Sequence, residues 1–182
     1  MAEVLLLGTL HGAHIRDQSL LGQQSGLACR FTFLCGQSWT AVEGDLTSQT
    51  QVDLPADGEW VVWSHPLDLH LTTRSLRGWP KFAVEVLRQD RFGRYQLVGY
   101  GITSIPMAAG THQLDVPIWR PRGTWLDTLR SHFLGITPAL KSLDLLRSAG
   151  DRYLLTTTSV ACSVMAELTV IERGATIHGM TT

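Results

Sequence analysis

LACRFTFLC occupies residues Leu27–Cys35, and LDLHLTT occupies residues Leu67–Thr73. In both stretches apolar side chains recur at every second position. Because successive side chains of a strand point to opposite faces of its sheet, this spacing predicts two strands, each with one buried face. The fold is therefore expected to be built on strands.

Five further stretches have β character and are separated by turn-forming residues. They are Val4–Leu10, Glu59–Trp63, Phe82–Leu87, Leu97–Ile105 and Val160–Ile171. Glycine or proline marks the turns between strands, as in Arg77–Pro80 and Phe92–Gly93. Strands at such spacing favour an antiparallel sandwich or barrel over alternating strand–helix units.

One segment, Thr124–Leu134 (TWLDTLRSHFL), departs from this pattern. Trp125, Leu129 and Phe133 recur at every fourth position, which predicts a short amphipathic helix that is capped by Thr124. We therefore expect an all-β antiparallel sandwich with about eight strands and one short helix. Residues 1–182 are expected to form a single domain.

The composition indicates a folded chain that works inside the cell. Apolar residues make up 44% and charged residues 17% of the sequence, which excludes a disordered protein. A net charge of -1 provides no general attraction for nucleic acid, so no nucleic-acid partner is expected. The apolar stretch Val4–Leu10 is too short for a signal peptide or a membrane span. The three cysteines lack a Cys-x-x-Cys pair, and we expect a soluble, cytoplasmic protein with reduced thiols.

Patterns typical of catalysis and metal binding are weak. The densest histidine groups, His11 with His14 and His65 with His70, each supply too few ligands for structural zinc. No Gly-x-Ser-x-Gly motif occurs. Gly99–Gly101 lacks the third glycine of a dinucleotide motif, so we interpret it as strand glycines that allow a bulge or close packing. We expect neither an enzyme nor a cofactor.

Six short motifs follow one another along the central and later parts of the chain. They are WSHPLDLH (63–70), GWP (78–80), DRFGR (90–94), GYG (99–101), GTHQL (110–114) and GDRY (150–153). Together they resemble the B9 (B-nine) domain family. The fold of that family is a C2-type β-sandwich, which agrees with the strand pattern.

The resemblance also implies a role as a scaffold. Members of the family sit in the ciliary transition zone, within the Meckel syndrome complex, and limit the passage of membrane proteins. By this resemblance the chain assembles with sister B9 domain proteins and other Meckel complex subunits. Its expected location is the base of the cilium, at the transition zone and basal body, where it would support ciliogenesis.

Two patterns supply candidate partner-binding residues. Tryptophan is enriched at the hot spots of protein interfaces, although core packing explains most tryptophans equally well. The candidate tryptophans are Trp60, Trp63, Trp119 and Trp125. The apolar stretches Val4–Leu10 and Val160–Ile171 are expected to be edge strands, with Thr169 as an edge position. Sister domains could pair with these edges or pack across the sheet faces.

A C2-type fold raises the question of calcium and lipid binding. In the stretch that resembles the calcium loop of such domains, Asp90 remains, whereas Arg88 and Gln96 replace the other two carboxylates. With Arg91 and Arg94 also nearby, a cation would be repelled, and no calcium is expected. Arg88, Arg91 and Arg94 form a candidate lipid-facing loop. At about 1 kcal/mol for each basic side chain, its membrane contact would be weak. A lipid-binding module that acts without calcium is the alternative function.

Overall fold

The computed structural model describes residues 1–17, 25–55, 59–121 and 157–174. Within these ranges the chain forms nine strands. They are β1 (Ala2–Ile15), β2 (Gly26–Leu34), β3 (Trp39–Gly44), β4 (Thr47–Gln49), β5 (Trp60–Thr73), β6 (Lys81–Gln89), β7 (Tyr95–Ser104), β8 (Gly110–Pro121) and β9 (Thr157–Arg173). The strands pair antiparallel in the order β3-β5-β1-β9-β8-β7-β6-β2-β4. The predicted all-β antiparallel fold is confirmed, and the helix predicted at Thr124–Leu134 lies outside the described residues.

The sheet curls so that its two halves face each other as the layers of a sandwich. Between the halves, β7 and β8 pair through Tyr100 and Trp119. On the opposite side, β5 of one layer meets β2 of the other. There the indole Nε1–H of Trp63 donates a hydrogen bond of 3.0 Å to the carbonyl oxygen of Leu27. The strands at the two ends of the sheet are thereby brought together around one core.

The hydrophobic core lies between the two layers. It contains the alternating side chains that the sequence placed on one face of β2 and β5. They are Leu27, Cys29, Phe31 and Phe33 of β2, and Leu67, Leu69 and Leu71 of β5. Burial raises the pKa of the Cys162 thiol to about 12 and that of Cys29 further. Both thiols therefore stay protonated at neutral pH and act as small apolar fillers of the core.

The prediction that Val4–Leu10 and Val160–Ile171 are edge strands is wrong. β1, which contains Val4–Leu10, lies between β5 and β9, and β9, which contains Val160–Ile171, lies between β1 and β8. Their apolar residues reflect central positions with partners on both sides. Among the described strands, β3 and β4 lie at the edges of the sheet, with six and three residues. Short edge strands are one means by which proteins avoid unwanted strand pairing.

Close packing explains the two glycines of Gly99–Gly101. A Cβ atom on Gly101 would lie 2.6 Å from Cγ1 of Val116 and 2.9 Å from Cδ1 of Ile118. The pairing of β6 with β7 also shifts its register next to Gly99. The interpretation of these residues as strand glycines that allow a bulge or close packing is confirmed: Gly101 is closely packed, and a register shift lies next to Gly99.

Candidate interaction surfaces

The candidate tryptophans have different environments. Trp63 is 1% exposed and belongs to the core between the layers. Trp119 is also buried, and its ring lies 5.7 Å from that of Tyr100 in a second, smaller cluster. Trp60 is 49% exposed, whereas Trp125 lies outside the described residues. Of the three described candidates, Trp60 is the one whose ring a partner can reach.

Thr169 lies within a sheet face and not at an edge. The register places it opposite Leu7 of β1 on one side and Thr111 of β8 on the other. The hydroxyl groups of Thr169 and Thr111 are 2.9 Å apart and share a hydrogen bond. Asp68 of β5 follows Leu7 in the same row. Thr169 is therefore near the middle of the outward side of the layer that contains β5, β1, β9 and β8.

The outward side of β5, β1 and β9, which we call the outer face, carries several apolar side chains. The six residues that define it are Trp60, Val62, Leu5, Leu7, Thr169 and Ile171. Leu5, Leu7, Thr169 and Ile171 adjoin one another in the register, whereas Val62 and Trp60 lie toward the other end of β5, opposite Gly12 and His14. Ile171 is 44% and Val62 58% exposed. The solvent side of an antiparallel sheet is usually polar, so exposed apolar side chains along it mark a candidate contact surface.

Acidic side chains border the cluster of Leu5, Leu7, Thr169 and Ile171 on the outer face. Glu43, Asp68 and Glu167 are outward-facing residues of β3, β5 and β9, and Glu3 lies at the end of β1. Arg173 is the register partner of Glu3 and supplies one positive charge there. The border is therefore acidic on balance, in contrast to the near-neutral charge of the whole chain.

The turn between β6 and β7 is organised by Asp90. Its Oδ1 accepts hydrogen bonds from the backbone N–H groups of Phe92 and Arg94, at 2.9 and 3.0 Å. Its Oδ2 lies 2.9 Å from the Arg94 guanidinium. The backbone N–H of Arg94, followed by its side chain, lowers the pKa of the Asp90 carboxyl. The Asp90 carboxylate is therefore occupied by groups of the same turn and stabilises the conformation of that turn.

The three arginines of the candidate lipid-facing loop have separate contacts. Arg88 donates a hydrogen bond to the side-chain oxygen of Gln96, within the β6–β7 pair. The guanidinium carbons of Arg91 and Arg94 lie 4.7 and 5.4 Å from the centre of the Phe92 ring. Phe92 is 68% exposed. The tip of the turn is thus an exposed phenylalanine between two arginines, with Arg88 set back in the strand.

Clustered metal ligands and membrane-spanning helices are absent from residues 1–17, 25–55, 59–121 and 157–174, which the structure describes. Those ranges contain no group of three or more His, Cys, Asp or Glu side chains that could hold a metal ion. In the same ranges, no helix has the length and apolar character that a membrane crossing requires.

Sequence reasoning missed the outer face. The run Val4–Leu7 is apolar at four successive positions, so both sides of that strand had to carry apolar residues. Leu6 is fully buried, whereas Leu7 is 36% exposed. An unbroken apolar run in a strand that has one solvent side is the signal that could have revealed this surface.

Comparison with known proteins gives one consistent result. Residues 4–171 match the family B9-C2, described as ciliary basal body-associated B9 protein. B9 domain-containing protein 2 of Bos taurus is 42% identical over 180 residues, which cover 99% of both chains. The protein of that name from Drosophila melanogaster is 35% identical over 85% of this chain and 87% of its own. B9 domain-containing protein 1 of Mus musculus is 29% identical over 62% of this chain and 56% of its own.

Proposed function

Because the chain belongs to the B9-C2 family of ciliary basal body-associated B9 proteins, we propose that it is a non-enzymatic scaffold subunit of the ciliary transition zone. It works as one domain over residues 1–182. It assembles with sister B9 domain proteins and with other subunits of the Meckel syndrome complex. In that assembly it supports ciliogenesis and the barrier between the ciliary and cytoplasmic compartments.

The observation that carries this proposal is the outer face. Exposed apolar side chains such as Val62 and Ile171 stand on the solvent side of a sheet whose other side already fills the core. A scaffold subunit needs such a surface because apolar contact supplies most of the free energy of stable association. The similarity to both B9 domain-containing protein 2 and B9 domain-containing protein 1 supports sister B9 domains as the partners.

The chain is expected to form a stable complex with at least one sister B9 domain protein. The test is co-expression of the chain with each sister protein from the same organism, followed by pull-down and size-exclusion chromatography at physiological salt. We expect co-elution at micromolar concentration, as for an interface of about 1,200–2,000 Å² in total. An unrelated C2-type β-sandwich serves as the control. Failure to bind any sister protein at that concentration would contradict the scaffold proposal.

The second candidate function is a lipid-binding module that acts without calcium. The observation in its favour is the exposed Phe92 between Arg91 and Arg94 at the tip of the β6–β7 turn. An apolar ring can insert between lipid headgroups while the arginines contact anionic lipids. At about 1 kcal/mol for each basic side chain, two arginines give a contact that is useful only inside a larger assembly.

The isolated chain is expected to stay in the supernatant when it is sedimented with vesicles of phosphatidylcholine and phosphatidylserine. About 1 mM calcium should make no difference, because the Asp90 carboxylate is occupied within the turn and Arg94 lies against it. Phe92→Ser is the matched variant. Sedimentation of the wild-type chain that this variant abolishes would favour the lipid module, and calcium-dependent sedimentation would contradict the account of the turn.

A further inference from the structure

Side chains occupy two backbone groups on the free side of β5. On the free side of β5, the backbone N–H of Val62 donates a 2.8 Å hydrogen bond to Oδ2 of Asp53. The carbonyl oxygen of Trp63 accepts a 2.8 Å hydrogen bond from the side-chain amide of Gln51. The edge strand β3 is six residues long and its pairing with β5 is irregular. A partner is therefore favoured to dock on a sheet face.

The outer face has the dimensions of a protein interface. β1 and β5 each contain 14 residues, which corresponds to a length of about 48 Å at 3.4 Å per residue. Three strands spaced by about 4.8 Å give a width of about 14 Å and an area of about 670 Å². Interfaces of standard size bury about 800 Å² on each partner. The outer face and its border together are therefore large enough for a stable complex.

Beside the adjoining apolar cluster of the outer face lies a polar atom for which the described residues provide no hydrogen-bond partner. Nε2 of His70 is buried and has no hydrogen-bond partner, and the nearest carboxylate oxygen, on Glu3, is 3.8 Å away. His70 is adjacent to Leu5 in the register of β1 and β5. A buried polar atom without a hydrogen bond is unfavourable, and the 3.8 Å contact with Glu3 compensates this only in part.

The charge of the border selects the kind of partner. A symmetric dimer through the outer face would bring Asp68 and Glu167 of one copy against the same acidic border of the other. Like charges that face each other at an interface are unfavourable, whereas lysine or arginine on the partner would be attracted. A second copy of this chain is therefore a poor occupant, and a different domain with a basic border is a good one.

We propose that the outer face of β5, β1 and β9 is the docking surface for a sister B9 domain whose contacting side is apolar and bordered by lysine and arginine. This inference rests on the proposed function and adds the location of the interface and the chemistry of the partner. Leu7, Thr169 and Ile171 belong to its adjoining apolar cluster, and the acidic side chains beside this cluster fix the orientation of the partner.

Two threonines provide a matched test. Thr169 on the outer face and Thr32 on the opposite layer are both partly exposed. Each hydroxyl pairs with a threonine on the adjacent strand, Thr169 with Thr111 at 2.9 Å and Thr32 with Thr47 at 3.2 Å. Thr169→Lys should weaken binding of the sister protein by about tenfold or more, since it places a bulky cation against a basic partner. Thr32→Lys should change binding less than about twofold.

The charge of the partner is tested by Thr169→Glu. This variant inserts a side chain of similar bulk but opposite charge, so it should bind the sister protein more tightly than Thr169→Lys. Affinities are measured by titration calorimetry, and circular dichroism with thermal unfolding checks the fold of every variant. Ile171→Ser replaces Thr169→Lys if that variant does not fold, and the same loss of binding is expected.

The outcomes separate the inference from the proposed function. If the wild-type chain binds no sister protein, the proposed function fails and the inference fails with it. If the wild-type chain binds and Thr169→Lys binds as tightly as Thr32→Lys, the function stands and the interface lies elsewhere. If Thr169→Glu weakens binding as much as Thr169→Lys, a basic partner border is overturned.

Discussion

Trp63→Ala is expected to lower the free energy of unfolding by about 3–5 kcal/mol. Trp63 is 1% exposed, and its indole joins β5 to the carbonyl oxygen of Leu27 in the facing layer. Truncation would leave a cavity between the layers and remove one of the contacts that hold them together. The carbonyl oxygen of Leu27 also accepts a 2.9 Å hydrogen bond from the backbone N–H of Asp53. Most of the loss should therefore come from packing.

Trp60→Ala is the matched control, because Trp60 lies three residues earlier in the same strand. It is 49% exposed and stacks on His14 with ring centroids 4.7 Å apart. Loss of one such exposed contact should lower the free energy of unfolding by about 1 kcal/mol. Urea denaturation of both variants provides the measurement. Equal losses for Trp60 and Trp63 would contradict the placement of Trp63 between the layers.

Trp63→Phe separates the two contributions of the indole. It retains an aromatic ring in the core but removes the Nε1–H donor, so the hydrogen bond to Leu27 should account for about 1 kcal/mol. The remainder of the loss in Trp63→Ala then measures the contact between the layers. A phenylalanine variant as unstable as the alanine variant would assign the role of Trp63 to its hydrogen bond.

The strands and their buried faces were predictable because they depend on local sequence. Leu67, Leu69 and Leu71 alternate with polar residues, and a strand turns such residues to one side whatever its neighbours are. The order of the strands depends on contacts between distant parts of the chain. Glu3 and Arg173 are register partners although they lie near opposite ends of the sequence. The apolar stretch around Leu7 could therefore not be identified as a central strand from its own composition.

The candidate site was predictable in part for the same reason. Trp60 and Trp63 are an odd number of positions apart, so they had to lie on opposite faces of β5. Which of them faces the core is decided by the layer that packs against β5, here through Leu27. The general enrichment of tryptophan at interfaces does not indicate which of the two tryptophans faces the core. Thr169 was selected as an edge position, and the structure places it in the face that we propose as the interface.

The arginines of the β6–β7 turn illustrate a further limit of sequence reasoning. From the sequence alone, Arg88, Arg91 and Arg94 are three equivalent positive charges in one candidate lipid-facing loop. In the structure Arg88 contacts Gln96, Arg94 contacts Asp90, and Arg91 lies over a ring. Such pairings are set by the geometry of the turn, which residue counts do not contain. Exposure of Phe92 at the tip was missed for the same reason.

Gly8→Ala is expected to lower the free energy of unfolding by about 3 kcal/mol, at the upper end of the range for overpacking. Gly8 lies in β1, between β5 and β9. A Cβ atom there would collide with the carbonyl oxygen of Glu167 and lie 2.9 Å from Cα of Leu168. Both atoms belong to the backbone of β9, so no rotation of a side chain relieves the collision. β1 and β9 would have to move apart at the centre of the sheet.

Gly93→Ala is the control that isolates this collision. Gly93 has a φ angle of +78°, and a Cβ atom added there would meet nothing within 4 Å. Alanine at Gly93 should cost about 1–2 kcal/mol through the left-handed backbone alone. Thermal and urea unfolding of the two variants give the difference, which should favour Gly93→Ala. If Gly8→Ala is the more stable variant, β1 and β9 do not pair as closely as described. Because Gly8 follows Leu7, the close pairing that excludes alanine also holds Leu7 beside Thr169 on the outer face.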